Sequence, residues 1–399
     1  MISYATDYPT RLKEIELALL NNDLDRVSRR TMDLTHDFIC NESDKISALD
    51  LREQYNNNKA LGSSGNANIE LRQEYDDLIA SLKSDIFEPV VETNVNPVIC
   101  VAEGIGKTYG SFELQEIDIK LEKGKIVGLV GENGNGKTTL LRLLSGQLHM
   151  SRGSLSFYNG DEKITTWERT KKEIAFIPQR TARWWGTLEE QISFSASLKG
   201  IKGKENLSGT NFIIQRLGLT KFKNHTWSEL SSGYKLRAEI AKALVWNPRV
   251  LILDEPLANL DLLAQELLLQ DIKDLAESLR KPVSIILSSQ QLHEVETIAD
   301  QIIFLKNGRA VFNGRISELN EQEDYHTVEI DGNLDYEILS NALSTFEVRI
   351  EKNVSGFTLN ISKTHNINEV LNTLIAKNFE LNYYRNITNS TKKLFNDKY

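Results

Sequence analysis

The chain has 399 residues, a formal net charge of −9 and two cysteines. This length allows two or three domains with their own cores, and the acidic balance argues against a nucleic-acid partner, which would need a basic surface. Cys40 and Cys100 lie far apart and predict neither a disulfide framework nor a metal site. Residues 1–7 lack the features of a secretory signal, and no run approaches the ~20 apolar residues that span a bilayer. A membrane role would therefore depend on a partner protein.

Residues 1–87 predict an N-terminal all-α domain, because apolar residues recur every three or four positions in three groups. These groups are Leu12, Ile15, Leu19; Leu24, Val27, Leu34, Phe38; and Leu71, Tyr75, Leu78, Leu82. Polar stretches at 21–23 and 61–66 separate the helices. Two roles stay open for this domain: contact with another protein or with the rest of the chain, or passive stabilisation. Residues 88–97 contain two prolines and predict an extended linker.

Strand-forming sequence follows the linker. Residues 99–102 and 112–121 predict two strands with a turn at 104–110, and residues 153–158 predict another strand. Residues 125–130 form a short apolar run rich in β-branched residues, after which Leu140, Leu141 and Leu144 lie at helical spacing.

A phosphate-loop pattern, GxxxxGK(S/T), lies between that strand and that helix. Its residues are Gly131, Glu132, Asn133, Gly134, Asn135, Gly136, Lys137, Thr138 and Thr139. Glycines let successive backbone amides converge on an anion, and the following helix N-terminus adds partial positive charge. We expect Lys137 to reach the β- and γ-phosphates of a nucleotide and the Thr138 hydroxyl to join the shell of Mg²⁺.

Residues 187–244 predict helices, opening with a capping box at 187–190. Within them, residues 230–234 begin a helix with small hydroxyl-bearing residues, which is a second potential anion site. The apolar run 250–253 then ends in Asp254 and Glu255, and carboxylates there need a metal, a cation or a hydrogen-bond donor. After a phosphate loop, this placement predicts that Asp254 holds Mg²⁺ through water and Glu255 polarises the attacking water.

The remaining sequence predicts a further strand at 284–287 and a hairpin turn at Asn307-Gly308. Residues 321–399 then predict a small α+β domain of the ferredoxin-like βαββαβ type. Its expected elements are a strand at 327–330, a helix at 336–343, strands at 346–350 and 357–361, a helix at 367–375 and a strand at 379–383. We expect a regulatory or packing role for this domain.

Residues 98–320 resemble the ATP-binding cassette (ABC) ATPases, the nucleotide-binding subunits of ABC transporters. Several motifs agree in order and spacing: residues 107–110 resemble the adenine-stacking loop, 177–179 the Q-loop, 230–234 the signature and 258–261 the D-loop. The resemblance implies that Tyr109 stacks on adenine and that Gln179 contacts Mg²⁺ and water. It also implies that Ser231, Ser232 and Gly233 bind ATP held by another cassette.

The resemblance further implies an α/β fold: a phosphate-loop cassette with a RecA-like core, an antiparallel β subdomain and a helical subdomain. Because the chain has one phosphate loop and one signature, it needs a second cassette, either a second copy or a paralogue, and a homodimer is the simplest solution. A separate transmembrane permease is the implied partner, which places the chain in the cytoplasm at the inner face of the cell membrane. The C-terminal domain is similar to the tail of exporter-type cassettes, so an ABC-2-like exporter is expected.

The sequence departs from the family pattern at three positions. The signature has Ser232 in place of the usual glycine and Tyr234 in place of the usual glutamine. Gln290 occupies the position of the switch histidine, and His293, three residues later, is expected at the surface. Glutamine can donate a hydrogen bond to the γ-phosphate but carries no charge, and charge-assisted bonds are roughly twice as strong. We therefore expect slower, not absent, ATP hydrolysis.

Two questions remain open at this stage. Trp184 and Trp185 lie where, by the resemblance, a permease would dock, and they are either anchors for it or covers of the subdomain core. The primary functional hypothesis is the ATP-hydrolysing subunit of an ABC exporter. The alternatives are a soluble ABC ATPase acting on a protein or ribonucleoprotein assembly, and a nucleotide-gated scaffold with weak hydrolysis.

Overall fold

The computed structural model describes residues 4–38, 41–61, 66–84, 97–110, 112–278, 281–315, 318, 325–332, 334–353 and 356–386. Cys40, the break at 62–65 and all of the predicted linker except Pro97 lie outside the described residues. Across the described ranges, none of the helices combines the length and the hydropathy that a membrane crossing requires.

The N-terminal region is helical, as predicted. Its helices are α1 (Tyr4–Leu20), α2 (Leu24–Asp37), α3 (Glu42–Leu61) and α4 (Asn66–Ser84). A turn at residues 21–22 separates α1 from α2, and Asn22 adopts a left-handed φ of 59° there. The three predicted apolar groups pack into one core, to which α3 adds Ala48 and Leu51.

An antiparallel sheet follows, with strand order β2-β1-β4-β5. Its strands are β1 (Val98–Tyr109), β2 (Phe112–Glu122), β4 (Arg152–Asn159) and β5 (Glu162–Ile164). The predicted turn at 104–110 is wrong, because β1 continues through it until Tyr109 pairs with Phe112. Register shifts on either side of Ile105 absorb Gly104, whose φ is 56°, so the glycine marks a bulge rather than a turn.

The central sheet has the order β10-β9-β3-β8-β7-β6. Its strands are β3 (Ile126–Val130), β6 (Ile174–Ile177), β7 (Val250–Leu253), β8 (Ser284–Ser289), β9 (Gln301–Lys306) and β10 (Arg309–Arg315). Neighbouring strands are parallel except β9 and β10, which form the hairpin predicted at Asn307-Gly308. Every residue of β3, β7 and β8 is buried, which explains their continuous apolar runs. Because β8 lies between β3 and β7, the loops after these three strands meet at one edge of the sheet.

Helices surround these sheets. They are α5 (Lys137–Leu144), α6 (Trp167–Glu173), α7 (Leu188–Leu198), α8 (Gly203–Arg216), α9 (Ser232–Leu244), α10 (Leu262–Ala276) and α11 (Leu292–Glu296). The predicted capping box before α7 is confirmed, since the Thr187 and Glu190 side chains each accept a hydrogen bond from the other residue's backbone amide. Helices α7, α8 and α9 form the helical subdomain.

The C-terminal region has the predicted βαββαβ order. Its elements are β11 (Tyr325–Gly332), α12 (Tyr336–Ala342), β12 (Val348–Lys352), β13 (Phe357–Ser362), α13 (Ile367–Ala376) and β14 (Leu381–Asn386). The antiparallel order β12-β13-β11-β14 is that of a ferredoxin-like sheet. The last strand begins two residues later than predicted.

Helix α2 joins the N-terminal helices to the cassette through buried ion pairs. Arg29 Nη1 lies 3.3 Å from Asp271 Oδ1, and Arg30 Nη1 lies 3.1 Å from Asp274 Oδ1. Arg30 Nη2 also donates to Glu277 Oε2 at 2.8 Å. Burial raises the pKa of Asp274 to about 6, against the lowering effect of Arg30. Of the two roles left open by the sequence, contact with the rest of the chain is therefore observed.

Candidate nucleotide site

The phosphate loop runs from the end of β3 to the first turn of α5. Gly136 caps α5 with a φ of 99°, and a Cβ there would lie 2.9 Å from Leu114 Cδ1. A Cβ on Gly131 would collide with the carbonyl oxygen of Leu305. Both positions thus require glycine. The loop is also fixed from outside, because the backbone amide of Asn307 donates to Asn135 Oδ1 at 3.0 Å.

Lys137 is buried at the base of this loop, with 4% of its surface exposed. Its Nζ donates to the carbonyl oxygens of Gly131 at 2.7 Å and Glu132 at 3.1 Å. The same nitrogen lies 3.2 Å from Glu255 Oε1. The ammonium group therefore lies between the phosphate loop and the acid pair that ends β7.

Asp254, which follows β7, connects the first turn of α5 with the end of β8. Its Oδ2 accepts a hydrogen bond from Thr138 Oγ1 at 2.9 Å, and its Oδ1 accepts one from Ser288 Oγ at 2.9 Å. The Ser288 hydroxyl in turn accepts from the backbone amide of Glu255 at 2.8 Å. Because Asp254 is only 4% exposed, these donors offset the cost of burying its carboxylate.

Glu255 is held in an unusual conformation by amide donors. Its φ of 48° lies in the left-handed region, which is uncommon for a residue with a long side chain. Its Oε2 accepts from Gln179 Nε2 at 2.6 Å and from Gln290 Nε2 at 2.8 Å. The two glutamines thus converge on the one carboxylate that also faces Lys137, and local backbone strain of this kind is often found at functional sites.

The signature residues adjoin the D-loop. Ser231 is the N-cap of α9, and Ser232 Oγ donates to the carbonyl oxygen of Asn259 at 3.2 Å. Asp261 caps α10 by accepting from the Ala264 amide at 2.8 Å. A cavity of about 160 Å³ lies between these loops and the acid pair, and Ser232 and Glu255 both line it.

The signature's Tyr234 packs against a neighbouring aromatic residue. Its ring centroid lies 4.0 Å from that of Phe222. Gly233, beside it, has ordinary space for a Cβ, 3.7 Å from Leu260 Cδ2. Among the described residues of one chain, no neighbour comes close enough to require a glycine at this position.

Three aromatic residues that the sequence analysis named lie away from the phosphate loop and the acid pair. Tyr109 ends β1, is 46% exposed and has Lys107 Nζ 5.3 Å from its ring centroid. Trp184 is buried, donates to Glu239 Oε1 at 3.1 Å and packs edge-on against Trp227, so it covers the subdomain core. Trp185 is 83% exposed.

Sequence reasoning brought together the loop and the acid pair but missed Ser288. This hydroxyl bridges Asp254 and the Glu255 backbone from the end of β8. Its position two residues before Gln290, at the end of an apolar run, was the available signal. His293 lies on α11 and is exposed, as expected.

The fold and the site define a phosphate-loop nucleotide-binding cassette. Comparison with known proteins agrees: a family model described as "ABC transporter" matches residues 114–258. The phosphonates import ATP-binding protein PhnC of Treponema denticola is 32% identical over 56% of this chain and 93% of its own length. The probable sulfate/thiosulfate import ATP-binding protein CysA of Chlorella vulgaris is 30% identical over 55% of this chain and 92% of its own.

Solved structures give the same result. The structure described as that of an "ATP binding subunit of ABC transporter" is 25% identical, with a TM-score of 0.50, over 56% of this chain and 92% of its own. The chain therefore belongs to the family of ABC transporter ATP-binding proteins, and it is an ATPase of that family.

Proposed function

We propose that this chain is the ATPase subunit of an ABC transporter and powers export through a separate transmembrane permease. The observation that carries the nucleotide chemistry is the meeting of the phosphate loop with the acid pair. Thr138 Oγ1 lies 2.9 Å from Asp254 Oδ2, and Lys137 Nζ lies 3.2 Å from Glu255 Oε1. These contacts bring a cation, oxygen ligands suited to a metal and a carboxylate next to the backbone of the phosphate loop, which is the combination that ATP hydrolysis would use.

The residues present are suited to Mg²⁺, which prefers hard oxygen ligands. The Thr138 hydroxyl, the Asp254 carboxylate and the side-chain oxygen of Gln179 would hold it, and the ion would supply neutralisation of phosphate charge. The backbone amides of the phosphate loop and the Lys137 ammonium would bind the phosphates of ATP. Tyr109, half exposed at the end of β1, would stack on the adenine.

Glu255 is proposed as the general base. Gln179 and Gln290 would orient its carboxylate toward an attacking water, while Gln290 would also donate to the γ-phosphate. Since the Gln290 amide is neutral, we propose that hydrolysis is slower than with an imidazolium at this position. Catalysis would consist largely of positioning and electrostatic stabilisation.

A complete site requires a second cassette in this proposal. ABC cassettes dimerise, and the signature residues Ser231, Ser232 and Gly233 would close over ATP bound to a second copy or a paralogue. We further propose four regions along the chain: a helical domain at 1–87, a linker at 88–97, the cassette at 98–320 and a small α+β domain at 321–399.

The proposal of export rests on the C-terminal region, whose βαββαβ order is similar to the tail of exporter-type cassettes. The match to the uncharacterized ABC transporter ATP-binding protein YhaQ of Bacillus subtilis covers 277 residues, more than the cassette alone, at 26% identity. The named importers match over shorter stretches. The proposed site of action is the cytoplasmic face of the cell membrane, where the exposed Trp185 would face the permease.

Two measurements test this proposal. The first is affinity purification of the chain from detergent-solubilised cells, with a multi-span membrane protein as the expected partner. Recovery of a ribosomal or other soluble assembly instead would favour the alternative of a soluble remodelling ATPase. The second is ATP-driven transport by the complex reconstituted in vesicles. We expect movement from the side that carries the ATPase to the opposite side. Movement toward the ATPase side would refute export while leaving the ATPase assignment intact.

A further inference from the structure

A polar cavity of about 230 Å³ lies between the N-terminal helices and the helical subdomain. Helices α2 and α3 form one wall, and the segment before α9, α9 itself and α10 form the other. We refer to it as the interdomain cavity. Its charged lining residues are Arg29, Arg52, Lys221 and Arg237, with Asp25 and Asp271.

Among the lining residues, four cationic side chains face two carboxylates. Outside the lining, Asp274 Oδ2 also lies 3.8 Å from Arg29 Nη1. Arg52 shows the imbalance most clearly. Its side chain is only 4% exposed; its Nη1 donates to Ser28 Oγ at 2.6 Å and lies 3.5 Å from Asp25 Oδ1. Asp25 is already paired with Arg29, at 2.8 Å through Oδ2. Asp271 is likewise shared, by Arg29 and Arg237. A buried guanidinium without a carboxylate of its own is costly, so this arrangement leaves room for another anion.

The cavity also contains unused hydrogen-bond donors. Among the described residues, five buried polar atoms that belong to lining residues have no hydrogen-bond partner: the donors Arg29 Nε, Arg52 Nε, Asn56 Nδ2 and Thr220 Oγ1, and the acceptor Asp271 Oδ2, which lies 2.9 Å from Arg237 Nη2 in an ion pair. The first four of these atoms carry hydrogen and can donate, whereas Asp271 Oδ2 already faces the Arg237 guanidinium. A ligand that satisfies the four donors must therefore offer several acceptors in a small volume.

We propose that the interdomain cavity binds a small oxyanion of phosphate size. At roughly 30 Å³ per water, the cavity holds about eight water molecules, and so one tetrahedral anion with a few waters around it. Water alone would satisfy the donors but would not balance the charge on Arg52. The anion is either free inorganic phosphate or the phosphate group of a small phosphomonoester. Because Tyr234 also lines the cavity, the bound anion lies beside the signature helix.

Isothermal titration calorimetry with inorganic phosphate tests the proposal. The full chain carries Lys137→Ala in every sample, which weakens phosphate binding at the phosphate loop, and chloride keeps the ionic strength constant. We expect one saturable site per chain. Arg52→Gln should weaken binding about tenfold or more, since hydrogen bonds to charged groups are worth roughly 1.5–3 kcal/mol.

Two further variants keep the test decisive. Lys221 is exposed, so Lys221→Gln should leave the fold intact and weaken binding severalfold even if Arg52→Gln fails to fold. Arg26→Gln, on the exposed side of α2, is the matched control and should bind phosphate like the parent chain.

Glycerol 3-phosphate in a parallel titration distinguishes the two sources of the anion. Tighter binding than phosphate would identify a phosphomonoester, and weaker binding would identify the free ion. The proposal is overturned if neither compound gives saturable heat up to about 10 mM, a very weak affinity. It is equally overturned if Arg52→Gln and Lys221→Gln, both folded, bind as the parent does.

Discussion

Replacing Glu255 by glutamine should stop hydrolysis while leaving nucleotide binding in place. The carboxylate accepts from Gln179 at 2.6 Å and Gln290 at 2.8 Å through Oε2, and faces Lys137 at 3.2 Å through Oε1. An amide keeps only one acceptor oxygen, so its NH₂ group must face either the two glutamine donors or the ammonium. Losing a positioned general base lowers turnover by about 10²–10⁴-fold.

The same substitution also removes a buried ion pair, with side chains 4% and 9% exposed. Breaking such a pair costs about 3–5 kcal/mol when the remaining charge is left alone. Here Lys137 keeps the carbonyl oxygens of Gly131 and Glu132, so we expect a loss of unfolding free energy nearer about 1–3 kcal/mol.

The assay compares ATP turnover and ATP affinity of the parent, Glu255→Gln and the control Glu266→Gln, an exposed acid on α10. The control should match the parent in both measurements. If the parent turns over ATP well above background and Glu255→Gln matches it, Glu255 is not the general base and the assigned chemistry is wrong. If the parent and Glu255→Gln both stay at the background rate but bind ATP, the chain acts as a weakly hydrolysing scaffold.

Other predictions concern single side chains. Gln290→His should raise ATP turnover by about tenfold below pH 7, because the imidazole is charged there and its hydrogen bond is charge-assisted. A pH–rate profile measures this effect. An unchanged rate would argue against Gln290 at the γ-phosphate. Because the pKa of Asp274 is raised to about 6 in the folded chain, the folded state binds the proton more tightly, and stability falls as pH rises from about 4 to 6. Asp274→Asn lacks this titration. Between about pH 4 and 6, the free energy of unfolding of Asp274→Asn minus that of the parent should therefore increase by about 1–3 kcal/mol, as measured by urea unfolding. A difference that does not change with pH would contradict the raised pKa. Trp185→Ala should reduce co-purification of the membrane partner without changing the midpoint of thermal unfolding. Trp184→Ala should lower that midpoint by several degrees, because it leaves a cavity in the core. Unchanged recovery of the partner with Trp185→Ala would exclude Trp185 as an anchor.

The approach of the phosphate loop to the acid pair could be predicted from sequence because both follow buried parallel strands. Carboxyl ends of such strands lie at one edge of a sheet, which places Lys137 and Asp254 on the same side. The presence of β8 between the two strands is a property of the sheet order, which local patterns do not contain. Ser288 could be assigned its bridging position only once that order was known.

The extent of β1 was mispredicted for a different reason. Glycines at 104, 106 and 110 favour a turn in a local pattern. Hydrogen bonds to β2 and β4 on both sides of the strand outweigh this preference and convert the first glycine into a bulge.

The setting of α2 shows the limit of periodicity most clearly. Its apolar face packs on the other N-terminal helices, as predicted, but its polar face is buried as well, including Arg29 and Arg30. Polar residues on a helix usually face water. Here their partners Asp271 and Asp274 lie more than 240 positions away, so no local window could connect them.

The carboxylate of Asp271 couples the N-terminal helices to the helical subdomain, which affects both domain motion and truncation of the chain. It receives Arg29 from α2 on one oxygen and Arg237 from α9 on the other, while itself belonging to α10. If α9 tilts against α10, either one of these ion pairs must lengthen or the N-terminal helices must move with α9. A chain trimmed to the cassette would leave Asp271, Asp274 and Glu277 crowded together without Arg29 and Arg30 to neutralise them. The isolated cassette would therefore differ from the cassette in the full chain in its electrostatics and its stability.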